Sequence, residues 1–560
     1  MTSSQNSHTS HTPPPMGRSE KIAVEEIART EVHPVHAWCA IISFFILIIV
    51  VGLADLRLFS SIPPANPTTS EQSESSSFLN ASPWVKSVFD WNQGACDWIK
   101  RTEDHVSTES PFSRAVQPWV QTTLLMTGEG GGDVMVGQEG WLFYRPSYRF
   151  LTRPDENIAG ASGYAAALKA ILAFSEDLRI RGIQLVIVPA WPKLAIHSEK
   201  FGAGHLSESP PLMPSFYPNW RKQLEEAGVL VFDSSSALLE AKASHPDGTY
   251  LKTDSHWNPL GMKRAAEGLG AYLEEMQLAS TGTVVANETQ KTIRNSGDLL
   301  RMLRLPDRIS EPMMESVEIS IVRHADGSRW LSDRNSPILV LGDSFCNIFS
   351  LEGMGWGENA GFTEQLGAAL GQPVDAILRN GDGAHATRAL LARELNAGRD
   401  RLAGKKVVVW EFAASQITEG TWPIIPCREN KAAPQTFNTK YLEVADEETQ
   451  EMTCMIALVG TVPNPNSTVY KEYVGHLLLE SLEMADGSPA PSSRALVYGL
   501  VMRDHKLTAL ASLRPNQRVK MKLRSWSSAE EEFGRYQRSE PAGDLALEPV
   551  NWLESFSLVD

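Results

Sequence analysis

Residues 337–345 read PILVLGDSF, an apolar run that ends in the polar triplet Gly-Asp-Ser. An almost wholly apolar run of this length is typical of a strand inside a parallel sheet, where both faces are covered. In open α/β sheets, ligands bind outside the carboxyl ends of the strands. The stretch therefore predicts a buried strand with Ser344 at its carboxyl end, where catalytic side chains are found.

Similar apolar runs alternate with helical patterns on both sides of this stretch. The predicted strands are 183–190, 229–235, 374–381 and 405–413, and the predicted helices are 161–182, 217–227, 259–276 and 386–397. Strands that alternate with helices in this way predict a mainly parallel sheet with helices on both faces. Arg379, Asn380 and Gly381 then lie at the carboxyl end of a second strand, on the same edge of the sheet as Ser344.

A second motif supplies an acid and a base. Residues 249–261 read TYLKTDSHWNPLG and place Asp254 two positions before His256, on a loop just ahead of a predicted helix. A nucleophilic serine needs a base that accepts its proton, and the base needs an acid that orients it. Asp254, His256 and Ser344 are the three residue types that this chemistry requires.

Each motif also has a plainer interpretation. A Gly-Asp-Ser triplet is a common turn at a strand end, and Asp-x-His is also a helix-entry hydrogen bond or a pair of metal ligands. No third ligand with zinc spacing accompanies Asp254 and His256, so we predict no metal. No Gly-rich phosphate loop is present either, so we predict no cofactor. Asn380 and Gly381, beside the backbone N–H of Ser344, are the candidate oxyanion donors.

Length and composition limit the class of protein. The chain has 560 residues, which suggests two or three domains, and its 42% apolar and 21% charged residues are those of a globular protein. The formal net charge of −16, with no long basic run, argues against nucleic acid as a partner. Five cysteines are few, and the sequence leaves open whether Cys427 pairs with Cys454.

The N-terminal region predicts a membrane anchor. A polar tail, residues 1–36, precedes an uncharged run from Ala37 to Ala54 that is long enough to cross a bilayer. A polar, Pro- and Ser-rich linker follows at 55–85. A buried core helix is the alternative for the apolar run. We expect a single uncleaved span in the inner membrane, with the N-terminus in the cytoplasm and the body in the periplasm.

The texture of the chain changes after about residue 430. Residues 86–429 carry the α/β pattern, whereas 430–560 hold short strand candidates between Pro, Asn and Gly turns. These candidates are 454–462, 474–482, 494–502, 507–513 and 518–526. The pattern predicts a small, separable antiparallel β domain, either a sandwich or a barrel.

Four segments, in this order, resemble the family of periplasmic alginate O-acetyltransferases, which are SGNH-hydrolase-like enzymes that act on exopolysaccharides. They are GQEGWLFYRPSYRFL (137–151), LVIVPAWPKLAIHSEKF (185–201), YLKTDSHWNPLGM (250–262) and LVLGDSF (339–345). The resemblance covers roughly residues 130–415. It implies a catalytic triad of Asp254, His256 and Ser344, in the permuted order of this family. Arg379, Asn380 and Gly381 match the family's oxyanion or substrate-binding positions only by their place after the next strand.

The resemblance also implies an activity and its partners. We expect a membrane-anchored, extracytoplasmic O-acetyltransferase that passes acetyl groups to a polysaccharide, with the donor delivered by a membrane-bound O-acyltransferase. Family members with a carbohydrate-binding module suggest that residues 430–560 bind polymer, and a structural or assembly role is the alternative. Two other functions use the same residues differently: an acetyl esterase with the same triad, and a non-catalytic polysaccharide-binding scaffold of an export complex.

Overall fold

The computed structural model describes residues 38, 41–43, 110–153, 163–202, 211–428, 441–465, 468, 470–486, 488, 490–541 and 545–559. No helix within these ranges is long and apolar enough to cross a membrane. The predicted tail 1–36 and linker 55–85 lie outside the described residues, as does the predicted span 37–54 apart from positions 38 and 41–43. The chain divides into two compact units, residues 1–117 and 118–560, and the contacts described below lie within the second.

The first part of the described chain alternates strands and helices. Its strands are β1 (Val134–Val136), β2 (Leu142–Tyr144), β3 (Gln184–Ala190), β4 (Leu230–Val231), β5 (Ala286–Asn295), β6 (Glu315–His324), β7 (Ile338–Gly342), β8 (Asp375–Leu378) and β9 (Val407–Ala413). Its helices are α1 (Pro111–Met126), α2 (Arg145–Thr152), α3 (Gly163–Ile180), α4 (Lys193–Ile196), α5 (Tyr217–Glu226), α6 (Ser235–Ser244), α7 (Pro259–Glu275), α8 (Asp298–Met302), α9 (Asp307–Ser310), α10 (Ser344–Asn347), α11 (Phe362–Leu370), α12 (His385–Asn396) and α13 (Gln416–Glu419).

Five strands form the central sheet in the order β4-β3-β9-β7-β8, and every neighbouring pair is parallel. The predicted parallel sheet is therefore confirmed. All five residues of β7 are buried, because this strand lies between β9 and β8 and its apolar side chains face the core on both sides. Strand β7 is an inner strand beside the edge strand β8, and it places the residues that follow Gly342 at the carboxyl edge of the sheet.

Local sequence signals account for several element ends. Helix α7 begins at Pro259, and the side chain of Asn258 caps it by accepting a hydrogen bond from the N–H of Gly261 at 2.9 Å.

Two differences from the predicted elements are clear. The strand predicted over 229–235 is only two residues long, and the antiparallel hairpin of β5 and β6 has no counterpart among the predicted strands. Strand β5 is largely exposed and β6 is mostly half-buried, so their sequences lack the apolar run that marks a buried strand.

The C-terminal part is a closed β-barrel. Its strands are β10 (Thr449–Val459), β11 (Tyr473–Met484), β12 (Arg494–Arg503), β13 (Lys506–Leu507), β14 (Arg518–Ser525) and β15 (Val550–Leu558), with helix α14 (Trp526–Phe533) between the last two. The order β11-β10-β14-β15-β12 closes on itself because β11 also pairs with β12. The pairs are antiparallel except for the parallel pair of β12 with β15. Because the sheet closes, the predicted β domain is a barrel and not a sandwich.

For this region, the structure corrects one predicted strand and answers one question that the sequence left open. The strand predicted over 507–513 is wrong, because residues Ala509–Ser512 form a 3-10 helix and only Lys506–Leu507 pair as a strand. Leu510, Ala511 and Leu513 of that segment pack in the barrel core instead of lying along a sheet. Cys427 and Cys454 are both buried free thiols, so they do not form the disulfide that the sequence left open.

Candidate active site

The structure brings Asp254, His256 and Ser344 together at the carboxyl edge of the sheet. The imidazole of His256 donates from Nδ1 to Oδ1 of Asp254 at 2.7 Å, and its Nε2 accepts from Oγ of Ser344 at 2.8 Å. His256 and Ser344 are 88 residues apart in the chain, so this contact depends on the fold. The three side chains form one hydrogen-bonded line from carboxylate to hydroxyl.

The turn that carries Ser344 is held by two acidic side chains, Asp343 and the buried Glu411. Asp343 accepts hydrogen bonds from the N–H groups of Phe345 at 2.8 Å and Ala413 at 2.7 Å, which ties the turn to the end of β9. The N–H of Asp343 donates to Oε2 of Glu411 at 2.9 Å. Burial, with a smaller contribution from the charge of Asp343, raises the pKa of Glu411 well above its usual range. Glu411 therefore favours its protonated form more strongly than an exposed glutamate does.

The glycine before this turn is required by close packing. A Cβ atom added to Gly342 would lie 2.6 Å from Sγ of Cys346 and 3.0 Å from a side-chain carbon of Leu378. Contacts of that length do not occur between real atoms, so a larger residue would displace the helix that begins at Ser344. The Gly in the Gly-Asp-Ser triplet thus keeps Ser344 close to the sheet.

Asp254 is buried, with 3% of its surface exposed. Its second oxygen, Oδ2, accepts hydrogen bonds from Nε1 of Trp356 at 2.9 Å and from the N–H of Asp298 at 3.0 Å. Burial by itself raises the pKa of Asp254, but the hydrogen bonds from His256, Trp356 and Asp298 outweigh it and hold that pKa well below its usual range. A permanent negative charge therefore faces the imidazole.

This charge changes the basicity of His256. Burial lowers the pKa of His256, but the hydrogen bond and charge of Asp254, with the charges of Asp298 and Asp343, outweigh burial and raise it. The imidazole also packs against the ring of Phe345, with 4.6 Å between the ring centres. A base that is fixed in direction and favours its protonated form is suited to accept a proton from Ser344.

The loop before His256 is held by charged residues that the sequence analysis did not find. The carboxylate of Glu315, on β6, accepts from the N–H groups of Lys252 at 2.8 Å and Thr253 at 2.7 Å. The ammonium of Lys193, on α4, donates to the carbonyls of Leu251 at 2.8 Å and Lys252 at 3.0 Å. Burial lowers the pKa of Lys193 to about 8. No local pattern reveals these contacts, because each partner is about 60 residues away in the chain.

Asp298 is a second carboxylate beside the acid–base pair. It accepts from the N–H of Ser255 at 2.7 Å and from its hydroxyl at 2.5 Å, and its Oδ2 lies 3.9 Å from Nδ1 of His256. Burial, followed by the negative charge of Asp254, raises the pKa of Asp298 to about 6. Asp298 is thus partly protonated near neutral pH, unlike Asp254.

Asp254, His256 and Asp298 are close enough to be considered as metal ligands, since one ligand atom from each lies within 4.8 Å of the others. However, Nδ1 of His256 is already bonded to Asp254, and the oxygens of Asp298 are bonded to Ser255. Most of the candidate ligand atoms therefore have hydrogen-bond partners. The arrangement fits an acid–base unit better than a metal centre.

Arg379 follows β8, as predicted, but its side chain turns toward the barrel. Its N–H donates to the carbonyl of Gly342 at 2.9 Å, which continues the pairing of β8 with β7. Its guanidinium pairs with Asp382 and donates to the carbonyls of Arg538 at 2.8 Å and Tyr536 at 3.4 Å. These bonds indicate that Arg379 joins the α/β domain to the C-terminal region.

Asn380 and Gly381 follow β8 at the same edge of the sheet as Ser344. The β7–β8 pairing ends at Gly342 and Leu378, and the side chain of Asn380 contacts Asn347, in the helix that begins at Ser344. The side chain of Asn380 is 1% exposed, and its Nδ2 has no hydrogen-bond partner among the described residues. Gly381 has φ of 85°, a left-handed conformation that favours glycine.

The fold defines the class of this protein. A five-stranded parallel sheet, with Ser344 at the end of a middle strand and Asp254 and His256 on a facing loop, is the architecture of an SGNH-hydrolase-like α/β domain. The β-barrel follows this domain in the chain.

The family follows from comparison with known sequences. The family model described as the SGNH hydrolase-like domain of the acetyltransferase AlgX matches residues 134–414, half of the chain. The chain therefore belongs to this family of alginate or polysaccharide O-acetyltransferases. The resemblance inferred from the four sequence segments is confirmed, and the matched residues contain the whole candidate site.

Known relatives carry names that agree with this assignment. The probable alginate O-acetylase AlgJ of Pseudomonas fluorescens is 25% identical over 327 residues, which cover 56% of this chain and 76% of the relative. The probable alginate O-acetylase AlgJ of Pseudomonas putida is 25% identical over 326 residues, which cover 56% of this chain and 78% of the relative. Among solved structures, the O-acetyltransferase domain of P. putida AlgJ aligns with a TM-score of 0.39 at 22% identity, covering 51% of this chain and 92% of that one. Pseudomonas aeruginosa AlgX aligns with a TM-score of 0.38 at 15% identity, covering 76% and 90%.

Proposed function

We propose that this protein transfers acetyl groups to hydroxyls of an exopolysaccharide through an acetyl-Ser344 intermediate. The observation that carries the proposal is the hydrogen-bonded line from Asp254 through His256 to Ser344, with distances of 2.7 and 2.8 Å. Membership of the O-acetyltransferase family supports the transfer of acetyl groups rather than another acyl chemistry.

In the first half-reaction, Oγ of Ser344 attacks the carbonyl carbon of an acetyl donor. Nε2 of His256 takes the hydroxyl proton as the new C–O bond forms, and Asp254 stays ionised and stabilises the imidazolium. When the tetrahedral intermediate collapses, the bond to the leaving group breaks and His256 returns the proton to that group. The product is an acetyl ester on Ser344 and a neutral imidazole.

The second half-reaction repeats these steps with a sugar hydroxyl as the nucleophile. His256 takes the proton of the sugar hydroxyl, whose oxygen attacks the acetyl-serine carbonyl. The bond to Oγ of Ser344 then breaks, and the imidazolium protonates Oγ. If water attacked instead, the same residues would make an acetyl esterase, so the acceptor distinguishes the two activities.

The oxyanion of both intermediates requires hydrogen-bond donors. We assign this role to the backbone N–H of Ser344, the amide Nδ2 of Asn380 and the backbone of Gly381. The unpartnered Nδ2 of Asn380 supports its part in this assignment. Arg379 is given a positioning role, because its guanidinium is already bound to Asp382 and to two carbonyls of the C-terminal region.

The test uses the full chain, a chromogenic acetyl ester and candidate oligosaccharides. We expect Ser344-dependent release of the chromophore and, by mass spectrometry, acetylated oligosaccharide. Ser344→Ala should abolish both, whereas the control Ser332→Ala, at an exposed serine outside the site, should retain both. Turnover with only free acetate as product would indicate an esterase. An acetyl adduct on a residue other than Ser344 would contradict the mechanism.

We also propose that the protein is anchored in the inner membrane with its body in the periplasm. The uncharged run from Ala37 to Ala54 supports the anchor. A membrane-bound O-acyltransferase that supplies the acetyl donor is part of this proposal, since the family resemblance implies such a partner. Protease added to intact spheroplasts should digest the body and leave a small protected N-terminal fragment. Complete protection of the body would contradict the orientation.

A further inference from the structure

The candidate oxyanion donor Asn380 has a single described side-chain contact. Its Oδ1 accepts a hydrogen bond from Nδ2 of Asn347 at 3.1 Å, and its own Nδ2 has no partner among the described residues. The oxygen and nitrogen of an amide are bonded to the same planar carbon, so a hydrogen bond that fixes the oxygen also fixes the position of the nitrogen. The contact with Asn347 therefore decides which end of the Asn380 amide is free to face a ligand.

The orientation of Asn347 is decided in turn by the C-terminal region. Its Nδ2 also donates to the backbone carbonyl of Arg535 at 3.3 Å. A carbonyl only accepts, so it requires the nitrogen end of the Asn347 amide on its side. The two hydrogens of Nδ2 then serve Arg535 and Asn380. Asn347 is fully buried, at the last position of helix α10, which begins at Ser344.

The segment that contains Arg535 is itself fixed against the catalytic domain. The guanidinium of Arg535 pairs with the buried carboxylate of Glu364 at 2.8 Å. The carbonyls of Tyr536 and Arg538 accept from Arg379, and Gln537 lies against Gly381. Three positions in a row, 536 to 538, therefore contact the loop that follows β8, and Arg535 before them contacts Asn347 and Glu364.

From this arrangement we infer that Asn347 is a positioning residue, which turns the amide nitrogen of Asn380 toward the oxyanion, with the backbone of Arg535 as its support. The inference rests on the proposed function, since it needs an oxyanion at Ser344. It makes the C-terminal region part of the catalytic arrangement, although that region contributes no catalytic side chain to the reaction as proposed. The sequence gives no sign of this role, because Asn347 lies 33 residues from Asn380 and 188 from Arg535.

A double-mutant cycle on the full chain tests the inference. The rate of Ser344 acetylation by a chromogenic acetyl ester is the readout, because it needs no sugar acceptor. Asn380→Ala should lower kcat by about 10²-fold, as expected when one oxyanion donor is removed. Asn347→Ala should lower kcat by about tenfold, with KM little changed, because the donor remains but is no longer oriented. The double variant should be no slower than Asn380→Ala alone.

A second substitution at the same position sharpens the test. Asn347→Asp keeps the size of the side chain but offers only acceptors, so the Asn380 amide should turn its nitrogen toward the new carboxylate. We expect a larger loss of kcat than for Asn347→Ala. A residue with a merely structural role would instead lower thermal stability in both variants and leave kcat in the folded fraction unchanged.

A matched control comes from Asn551, which is also fully buried and donates to the carbonyls of Leu442 and Leu496 in the barrel. Asn551→Ala should lower the melting temperature without lowering kcat. Additive losses in the double variant, or normal kcat in Asn347→Ala, would overturn the inference while Ser344-dependent acetylation upholds the proposed function. Loss of the proposed function would be seen separately, as wild-type turnover that Ser344→Ala does not affect.

Discussion

Nε1 of Trp356 donates a 2.9 Å hydrogen bond to Oδ2 of Asp254, the oxygen that does not hold His256. The two residues are 102 positions apart, and both are buried. The bond satisfies a lone pair of a buried oxygen that would otherwise lack this partner, and it helps to keep Asp254 ionised. Trp356 therefore acts on His256 through Asp254, without touching the reacting atoms.

Trp356→Phe should test this relationship, because it keeps an aromatic ring and removes only the donor. Loss of a hydrogen bond to a charged group costs about 1.5–3 kcal/mol, so we expect kcat/KM for an acetyl ester to fall by roughly tenfold or more. Steady-state kinetics on the folded variant would measure it. Trp330→Phe is the matched control, since Trp330 is equally buried and its Nε1 has no partner among the described residues. Equal effects of the two substitutions would contradict a specific role for Trp356.

Ser344 and His256 should behave as a unit when they are removed. Ser344→Ala and His256→Ala should each reduce acetyl-ester turnover to near background, and the double variant should be hardly worse than either. Asp254→Asn should cost roughly 10³–10⁴-fold, because it can leave His256 in the wrong tautomer. Initial rates, with circular dichroism to verify folding, would measure these losses. Additive losses would indicate that the residues act separately.

The pH dependence of turnover should report the charges around His256. The base must be neutral, so activity is lost as pH falls through the pKa of His256, and because this pKa is raised the loss begins at a higher pH than for an ordinary histidine. Asp298→Asn removes a negative charge 3.9 Å from Nδ1 of His256 and should shift the acid limb of kcat/KM toward lower pH. The variants should converge below about pH 6, where Asp298 is itself protonated. Asp326→Asn, in an exposed turn, should leave the profile in place. An unchanged limb in Asp298→Asn would show that its charge does not reach the base.

The barrel should be required for a stable catalytic domain, in contrast to the separable module that the sequence predicts. Arg393, on α12, is buried and donates to the hydroxyl of Tyr498 at 2.9 Å and to the carbonyl of Ala546 at 2.7 Å. Arg393 would lose these partners in a chain that ends at residue 428. Arg379 would likewise lose its hydrogen bonds to carbonyls of the C-terminal region. Truncation would also expose to water the surface that the barrel covers, so we expect the truncated chain to lack a cooperative unfolding transition and ester turnover. A folded truncated chain with normal turnover would contradict this expectation.

A milder substitution at the same contact keeps the full chain. The side chain of Glu540 is 19% exposed and accepts from Arg538 at 2.6 Å and from Arg393 at 3.2 Å. Glu540→Gln removes the negative charge between these arginines and should lower the melting temperature by several degrees. Glu483→Gln is the control, because its pair with Arg518 is about half exposed on both sides and contributes little. Calorimetry of both variants would measure the difference, and equal melting temperatures would argue against the buried contact.

The sequence by itself determined the features that depend on local pattern. The apolar run of β7 predicts a buried parallel strand, and the observed strand Ile338–Gly342 ends just before Ser344. The predicted helix 259–276 is observed as Pro259–Glu275, with Asn258 as its cap. Periodicity, caps and turn residues act between near neighbours, so they can be read without knowledge of the fold. The motifs around Asp254, His256 and Ser344 were found for the same reason.

Only the tertiary structure decided which side chains support these motifs. Trp356, Asp298 and Glu315 reach the Asp254 loop from 44 to 102 residues away, and Asn347 bonds to the C-terminal region. The segment 507–513, predicted as a strand, is mainly a 3-10 helix, because Leu510, Ala511 and Leu513 pack in the barrel core. Hydrogen bonds of this kind exist only when distant segments pack together and exclude water, and neither spacing nor composition records that packing.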